Sequence, residues 1–546
     1  MNKSIMFMLV FFAATTAFGA AWPQKYNNGR HTLFTTAPAI TTPGVFWVMD
    51  DIPTSSEGST CTVIGNNNDI YCVRYDGTSY SIVELDRKGQ VQRTYLSSSS
   101  VAVNSLAVST TNLYASFDDG TFQAWVLGNT DINWSKTDDN IVSMVLLDDS
   151  GNVYFNSDTT VYSYEADGTD RWSYDISATS AGYWPAYYGG AVFVTYDNKM
   201  IALNTSNGSK RWLKDMSTWS SDWQYFTWPM IGPDGTIWTG RVSDDTVQDY
   251  VAISPSSGAT NLGTGLPSSN SRLYSITNAK MLVFTGDGYL VGGTYDMSDL
   301  TVTEEFYVTS GFTPTTLITI AGNSIYEGKS NGDLLAYKTS DGSKIWSFSL
   351  ELDDAYAVGV MAADKYGTLY IQLSDGRLAA VGESPVAVAS GPTSAQTGVP
   401  VTFSSAGSGP GISTDTIMYI WDFGDATTST EANPTHAYTA AGNYTVVLTV
   451  LSNETGAVAT DTIEFAADDT PPVVTLTHAE LWGTVLDDTS TPPTINVGGT
   501  DVPVDPTLHT WDSGWIPLET SGPTDVDVVA TDASGNTRTV VVNFAP

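Results

Sequence analysis

Carboxylates are the most abundant reactive groups in this chain. Asp and Glu number 59 against 22 Lys and Arg and 4 His, a formal charge of −37 at neutral pH. Carboxylates in such number could act as a glycosidase pair or as oxygen ligands for calcium. Their spacing singles out neither use. No EF-hand loop, H-E-x-x-H or G-x-S-x-G motif occurs. His31, His436, His478 and His509 are scattered along the chain, which argues against a Ser-His-Asp triad or a His-rich metal centre. The acidic residues are dispersed, as on a solvated surface suited to high salt or a calcium-rich exterior. The same charge excludes nucleic acid as a partner, since phosphates need basic patches.

Two further groups could do chemistry. Cys61 and Cys72 are the only cysteines, with Asn66-Asn67-Asn68 midway between them. They are expected to face each other across a hairpin and to form a disulfide in an oxidising compartment. Aromatic residues crowd into Trp219, Trp223, Tyr225, Phe226 and Trp228, and Tyr183, Trp184, Tyr187 and Tyr188 form a similar group upstream. Such rings could stack on sugars or anchor a protein partner, or they could pack neighbouring elements together. Trp184-Pro185 and Trp228-Pro229 occupy matching places, which favours packing for those two. Trp219, Trp223, Tyr225 and Phe226 remain as candidate binding residues.

The elements that must position these groups are set by a repeat. An aliphatic residue followed by an aromatic one recurs at Ile70-Tyr71, Leu113-Tyr114, Val153-Tyr154, Val192-Phe193, Ile237-Trp238, Val283-Phe284, Ile325-Tyr326 and Leu369-Tyr370. A period of about 40–50 residues in a strand-rich chain means a propeller or a solenoid. Turns rich in Asp, Asn and Gly flank each pair, an alternating strand follows, and Trp172, Trp212 and Trp346 each stand four residues after a turn glycine. Four short strands joined by tight hairpins make one propeller blade. A rigid ring at the end of each blade is expected to pack against the next blade. The last repeat lacks its outer strand, and Val45-Phe46-Trp47-Val48 is expected to supply it. The expectation is an all-β chain: an eight-bladed propeller over 21–384, closed by an N-terminal strand, followed by two Ig-like β-sandwich domains.

The stretches Ala202 to Trp212 and Ala336 to Trp346 resemble the PQQ-like β-propeller repeat, with its A-x-D-x-x-T-G-x-x-x-W pattern. The opening Trp22-Pro23-Gln24-Lys25-Tyr26-Asn27 is similar to the start of such propellers. The resemblance implies a fold and leaves the chemistry open. Quinoprotein dehydrogenases of this kind carry adjacent cysteines and a calcium site. This chain has no Cys-Cys pair and no evident basic residues for the quinone carboxylates, so neither PQQ nor another cofactor is expected, and Ca²⁺ stays open. The repeats around 237–310 fit the pattern poorly.

From Pro385 the composition changes, and no Lys or Arg occurs between Arg377 and Arg538. The segment Tyr419-Ile420-Trp421-Asp422-Phe423-Gly424-Asp425, with His436-Ala437-Tyr438 and Gly442 to Val446, is similar to the PKD domain, an immunoglobulin-like sandwich expected over 385–467. Its Trp and Tyr read as core residues, its Asp and Asn as turn formers, and Ala426 replaces the usual Gly. Asp468 to Pro472 reads as a stiff linker. Residues 473–546, with Val526 to Thr537, look like a bacterial Ig-like module.

Residues 1–20 read as a secretory signal: Lys3, an apolar run from Ile5 to Ala14, and a small-x-small site at Ala17-Phe18-Gly19. No later segment is apolar enough to span a bilayer. The expectation is therefore a non-enzymatic protein, secreted to the extracellular space or cell surface rather than the periplasm. It would bind a surface protein or glycan without membrane insertion, and self-association stays open. The alternative is a polysaccharide-binding or polysaccharide-degrading protein.

Overall fold

The computed structural model describes residues 34–52, 62–65, 67–138, 144–177, 184–215, 225–243, 246–262, 272–286, 289–296, 302–309, 318–350, 355–470, 473–476, 482–487, 491–497, 499–506, 509–512 and 524–544. All regular elements among them are strands. The chain divides into two compact units, Met1–Glu383 with Glu454–Gly456, and Ser384–Asn453 with Ala457–Pro546.

Among the described residues the first unit contains eight antiparallel sheets, numbered here in chain order. Sheet 1 is Thr62–Ile64, Ile70–Tyr75, Tyr80–Leu85 and Val91–Ser99. Sheets 2, 3 and 4 repeat this four-strand hairpin order over 103–137, 146–175 and 186–215. Sheet 5 runs over 225–262 and sheet 6 over 272–309. Sheet 7 covers 319–349, and sheet 8 takes Ala357–Ala363, Leu369–Leu373 and Leu378–Glu383. The fourth strand of sheet 8 is Pro43–Met49, antiparallel to Leu378–Glu383, with Val45 opposite Val381. Sheets 5 and 6, whose sequences fit the repeat poorly, keep the hairpin order, except that two short strands, Tyr225–Phe226 and Met230–Ile231, share the first position of sheet 5.

The eight aliphatic-aromatic pairs all lie on the second strand of their sheet. Each of these residues is at most 2% exposed. The strand is buried on both faces, so its apolar residues run on instead of alternating. Outer strands do alternate: in Lys344–Ser349 the odd-numbered Ile345, Ser347 and Ser349 are exposed, while Trp346 and Phe348 are half-buried.

Rings from the outer strands join successive sheets. Trp134 covers Gly168, Trp172 covers Gly208 and Trp212 covers Gly258, each ring lying where a Cβ on the glycine would be. Each indole also donates to the covered turn: Trp134 to Ala166 O at 3.0 Å, Trp172 to Thr205 O at 2.8 Å and Trp212 to Pro255 O at 2.9 Å. Gly208 is needed twice over, since its φ is +71° and a Cβ would stand 2.7 Å from the Trp172 ring. Burying one such ring is worth roughly 2–3 kcal/mol. Sheet 8 docks on sheet 1 in the same way: Trp47 covers Gly89 and donates to Arg87 O at 2.8 Å. Between sheets 6 and 7 the ring is Phe306, over Gly342. Between sheets 1 and 2 it is Tyr95, whose hydroxyl accepts the Gly128 N–H at 3.1 Å.

The lead-in to Pro43–Met49 crosses sheet 7. Phe34–Thr35 pairs in parallel with Ile320 and Ala321. Ile40 N–H then donates to the Tyr326 hydroxyl at 2.7 Å, and Trp346 donates to Ile40 O at 2.8 Å. Thr41 and Thr42 donate to the Glu383 carboxylate on sheet 8.

The second unit holds two strand-built domains. In the first, Ser394–Gln396, Val458–Asp468, Gly442–Ser452, Ile417–Asp422 and Thr428–Ser429 form one sheet, and Val401–Thr402 with Thr435–His436 form another. Trp421, Phe403, Phe423, Tyr438 and Phe465 fill the space between. The strand ending at Asp468 runs one residue into the segment expected as linker. In the last domain, Val473–Leu476, Trp482–Leu486 and Thr510–Asp512 make one sheet. Thr500–Val502, Thr494–Val497, Thr524–Thr531 and Thr537–Phe544 make the other.

Cys72 is buried on the second strand of sheet 1, its thiol pushed up to about 12 by burial. Cys61 lies outside the described residues, so the expected disulfide does too. Thr62 is the residue opposite Cys72.

Candidate functional site

Antiparallel order places the turns between second and third strands at the same end of each sheet as the connections to the next sheet. That end is acidic. Its described turns carry Asp76, Asp118, Asp119, Asp158, Asp197 and Asp375. Asp76 Oδ1 accepts the Thr78 and Ser79 amides and the Thr78 hydroxyl, which hold its carboxyl down at about 2. It therefore stays charged far into acid.

Of the candidate aromatic residues, Tyr225 and Phe226 belong to this end. Residues 216–224, which include Trp219 and Trp223, connect sheet 4 to sheet 5 and lie outside the described residues. Tyr225–Phe226 forms a two-residue strand antiparallel to Val242 and Arg241, at the acidic end of the second strand of sheet 5. Thr227 closes the bend that follows: its Oγ1 accepts Gly240 N–H at 2.7 Å and its main-chain O accepts the Thr239 hydroxyl at 2.8 Å.

Tyr183 lies outside the described residues; the other members of the aromatic group, Trp184, Tyr187, Tyr188 and Trp228, are committed to packing. Trp228 is buried and meets Trp184 edge-on, ring centroids 5.5 Å apart. Tyr187 donates to Asp149 of sheet 3 at 3.0 Å, and the ring of Tyr188 lies over Gly235 of sheet 5. The matched Trp-Pro positions are thus packing positions.

The opposite end carries carboxylates too, and its turns between first and second strands use them internally, as the Asp76 turn does. Asp148 Oδ1 accepts the Ser150 and Asn152 amides, and Oδ2 accepts Asn152 Nδ2 and the Tyr154 hydroxyl, at 2.7–3.0 Å. Asp234 accepts the Tyr295 hydroxyl at 3.0 Å and pairs with Lys280 at 3.0 Å. Asp364 is fully buried; it accepts the Tyr366 and Thr368 amides at 2.9 Å, with Arg87 Nε 3.8 Å away. Burial pushes the Asp364 carboxyl up, and Arg87 opposes the shift. These acids hold their own turns, with their oxygens occupied, which is not the arrangement of a hydrolytic pair facing an open cleft.

Sheet 7 carries a buried ion pair that the sequence reading passed over. Lys329 Nζ lies 2.6 Å from Glu327 Oε2, with both side chains at most 1% exposed. Burial holds the Lys329 amine below its ordinary range, against the attraction of Glu327. The two residues stand two and four positions beyond Ile325, where sheet 8 has Ile371 and Leu373. A signal was present, since charges break an otherwise apolar strand.

In the second unit His436 lies flat on Phe423, centroids 4.1 Å apart, with its Nε2 2.8 Å from Asp425 Oδ2. Tyr438 donates to Phe423 O at 3.0 Å. Trp421 and Tyr438 are core residues and Asp422 and Asp425 turn formers, as the motif reading expects. No helix among the described residues is long and apolar enough to cross a membrane.

Two family models match: "PKD domain" over residues 382–467 and "Outer membrane protein assembly factor BamB" over residues 137–218. Among curated proteins, the chain is similar to Collagenase ColA of Bacillus cereus, 71% identical over 34 residues, 6% of this chain and 4% of that protein. A microbial collagenase of Vibrio alginolyticus is 38% identical over 97 residues, 16% of this chain and 11% of that protein. The matches thus span only a small part of these relatives' length. Solved structures with a similar fold include BamB from Moraxella catarrhalis, at 12% identity and TM-score 0.44, covering 62% of this chain and 97% of that one. Quinohemoprotein alcohol dehydrogenase from Comamonas testosteroni has 12% identity and TM-score 0.45, covering 67% and 81%.

Proposed function

We propose that this chain, which carries PQQ-type propeller repeats and a PKD domain, is an extracellular binding protein that recognises a matrix or surface partner through the acidic end of its propeller. In this reading the eight sheets close into one ring of eight blades, the strand Pro43–Met49 joining the last to the first. Ring closure leaves no open sheet edge and gives the loops a stiff frame.

One observation supports the reading: Trp184, Trp228, Tyr187 and Tyr188 are taken up in packing, while Tyr225–Phe226 forms a short strand at the acidic end of sheet 5 and the sequence holds two more tryptophans, Trp219 and Trp223, just before it. Trp184, Trp228, Tyr187 and Tyr188 have structural partners. Trp219 and Trp223 stand beside them in sequence without a place in the repeat grammar. Aromatic side chains on an acidic rim suit a neutral glycan or a basic protein segment. The short similarities to collagenases make collagen the first partner to try.

The test is binding of the full-length protein to immobilised collagen and to a panel of matrix and bacterial polysaccharides. The double variant Trp219→Ala, Trp223→Ala should bind at least about tenfold more weakly, the scale of losing one anchor ring, with its melting temperature unchanged. Unchanged binding with a lowered melting temperature would return these rings to packing. Depolymerisation of a bound polysaccharide by the wild type would replace this reading with a hydrolytic one.

A further inference from the structure

Three aspartates from separate strands converge where the PKD sheet ends. Strand Val458–Asp468 finishes on Asp468, which is 5% exposed. Its Oδ1 accepts Thr470 N–H at 2.8 Å, and its Oδ2 is buried without a hydrogen-bond partner. Asp487 follows the strand Trp482–Leu486, and Asp532 opens the turn between Thr524–Thr531 and Thr537–Phe544. One carboxylate oxygen from each lies within 4.8 Å of the other two.

Asn536 gives an independent indication. It is fully buried. Its Nδ2 donates to the Asp468 main-chain O at 2.9 Å and to Asp532 Oδ2 at 2.8 Å, which fixes the amide between these two residues. Its Oδ1 has no partner. Two buried oxygens of these bonded residues thus lack a partner, Asp468 Oδ2 and Asn536 Oδ1.

The electrostatics require a positive charge. Buried carboxylates in mutual contact cannot all stay ionised; they take up a proton or a cation. No Lys or Arg occurs in the sequence between Arg377 and Arg538, and Arg538 is exposed. Among the described residues the donor set is oxygen alone, which suits a hard cation and not zinc. Three carboxylates and an amide exceed what magnesium usually takes from protein and match calcium's six to eight oxygens.

We propose that Asp468, Asp487, Asp532 and Asn536 bind one calcium ion, which ties the end of the PKD sheet to the C-terminal domain. Main-chain carbonyls or water complete the coordination. The ion neutralises the cluster and fixes the linker that begins at Asp469, so the two domains hold one arrangement when calcium is present.

The test is calorimetric unfolding of the full-length protein in chelator and in about 5 mM CaCl₂, a concentration that fills extracellular-type calcium sites. The transition of the C-terminal domain should rise by about 5 °C or more in calcium. Asp532→Asn should lose that rise; in chelator the like charge it removes offsets part of the acceptor lost to Asn536, so its melting temperature should fall by less than in calcium. Asp487→Asn should lose the rise too. Calcium titration should show one site fewer, or at least about tenfold weaker binding at one site, in either variant. The assignment is overturned if calcium leaves the wild-type transition unmoved or Asp532→Asn keeps the full rise. It also fails if Asp532→Asn is destabilised equally in chelator and calcium, or if magnesium at equal concentration gives the same rise.

Discussion

The same five-residue turn occurs in both units and is used differently in each. In sheet 3 it is Asp148-Asp149-Ser150-Gly151-Asn152; in the C-terminal domain it is Asp532-Ala533-Ser534-Gly535-Asn536. In both, the Asp N–H donates to the Asn carbonyl, the Gly N–H donates to the Asp carbonyl, and the Asn amide and side chain donate to the Asp carboxylate. The propeller turn then brings in the Tyr154 hydroxyl, which also accepts Arg171 Nη1 at 2.8 Å. The C-terminal turn brings in two more carboxylates. A local motif thus fixes the shape of the turn and not its chemistry; the partners arriving from elsewhere decide whether the carboxylate is neutralised by the protein or left for an ion.

The propeller half of this comparison is most sharply broken at Arg87. Asp364 opens a turn of the same kind, Asp364 to Thr368, and Arg87 reaches it from sheet 1 while lying 4.2 Å over the Tyr366 ring. Arg87→Met leaves a buried carboxylate without its nearby cation and should cost about 3 kcal/mol in urea unfolding near neutral pH. Burial already raises the Asp364 carboxyl in the folded state, and loss of Arg87 raises it further. A raised carboxyl keeps its proton when folded, so stability is fullest below the ordinary carboxylate range and falls as pH rises through the folded value. The loss should therefore be smaller at about pH 5 than at about pH 7. An equal loss at both would mean that the charge of Asp364 is met by some other group.

Matched truncations set the two turns against each other directly. Asn152→Ala removes the bond to Asp148 and should cost about 1 kcal/mol, unaffected by calcium or chelator. Asn536→Ala removes two bonds and should cost about 1–2 kcal/mol in chelator. In calcium its cost should grow, because a ligand oxygen leaves with the amide. Denaturant melts of both variants in both buffers check this, and parallel behaviour would erase the distinction between the turns.

The repeat was legible because it is local. An aliphatic-aromatic pair between two polar turns is a second strand wherever it occurs, and Trp47 marked Val45–Val48 as an outer strand because its ring does what Trp172 and Trp212 do. The spacing of Trp after Gly did not reveal Phe306, since a glycine turn needs a flat apolar ring rather than an indole, nor Tyr95, which meets the Gly128 turn through its hydroxyl. Nor did any pattern announce the parallel pairing of Phe34–Thr35 with sheet 7, which depends on two segments far apart in sequence. The carboxylate cluster was hidden for the same reason: Asp468 read as linker, Asp532 fell within the stretch that resembles an Ig-like module, and Asp487 carried no signal. Only folding brings the three together. Of the candidate binding residues, Tyr225 and Phe226 can be placed by their backbone alone, and Trp219 and Trp223 not at all.

The PKD domain contains a turn that departs from the shared rule, and it gives the finest test. Gly151, Gly367 and Gly535 adopt φ of +82°, +91° and +90° in their turns, where no side chain interferes. In the Asp425 turn the left-handed position falls on Ala426, at φ +71°. Asp425 Oδ1 accepts the amide and hydroxyl of Thr427, and Oδ2 meets His436, so the turn is held from both sides. An alanine there carries a left-handed penalty of about 1–2 kcal/mol, which glycine would relieve while losing part of the gain to its greater freedom when unfolded. Ala426→Gly should therefore stabilise the PKD transition by about 0.5–1 kcal/mol in thermal melts, with the His436–Asp425 pairing intact by NMR. A loss of stability would mean that the alanine methyl makes a favourable contact outweighing its backbone strain, and the left-handed position would then be a packing choice in this turn and a conformational one in the other three.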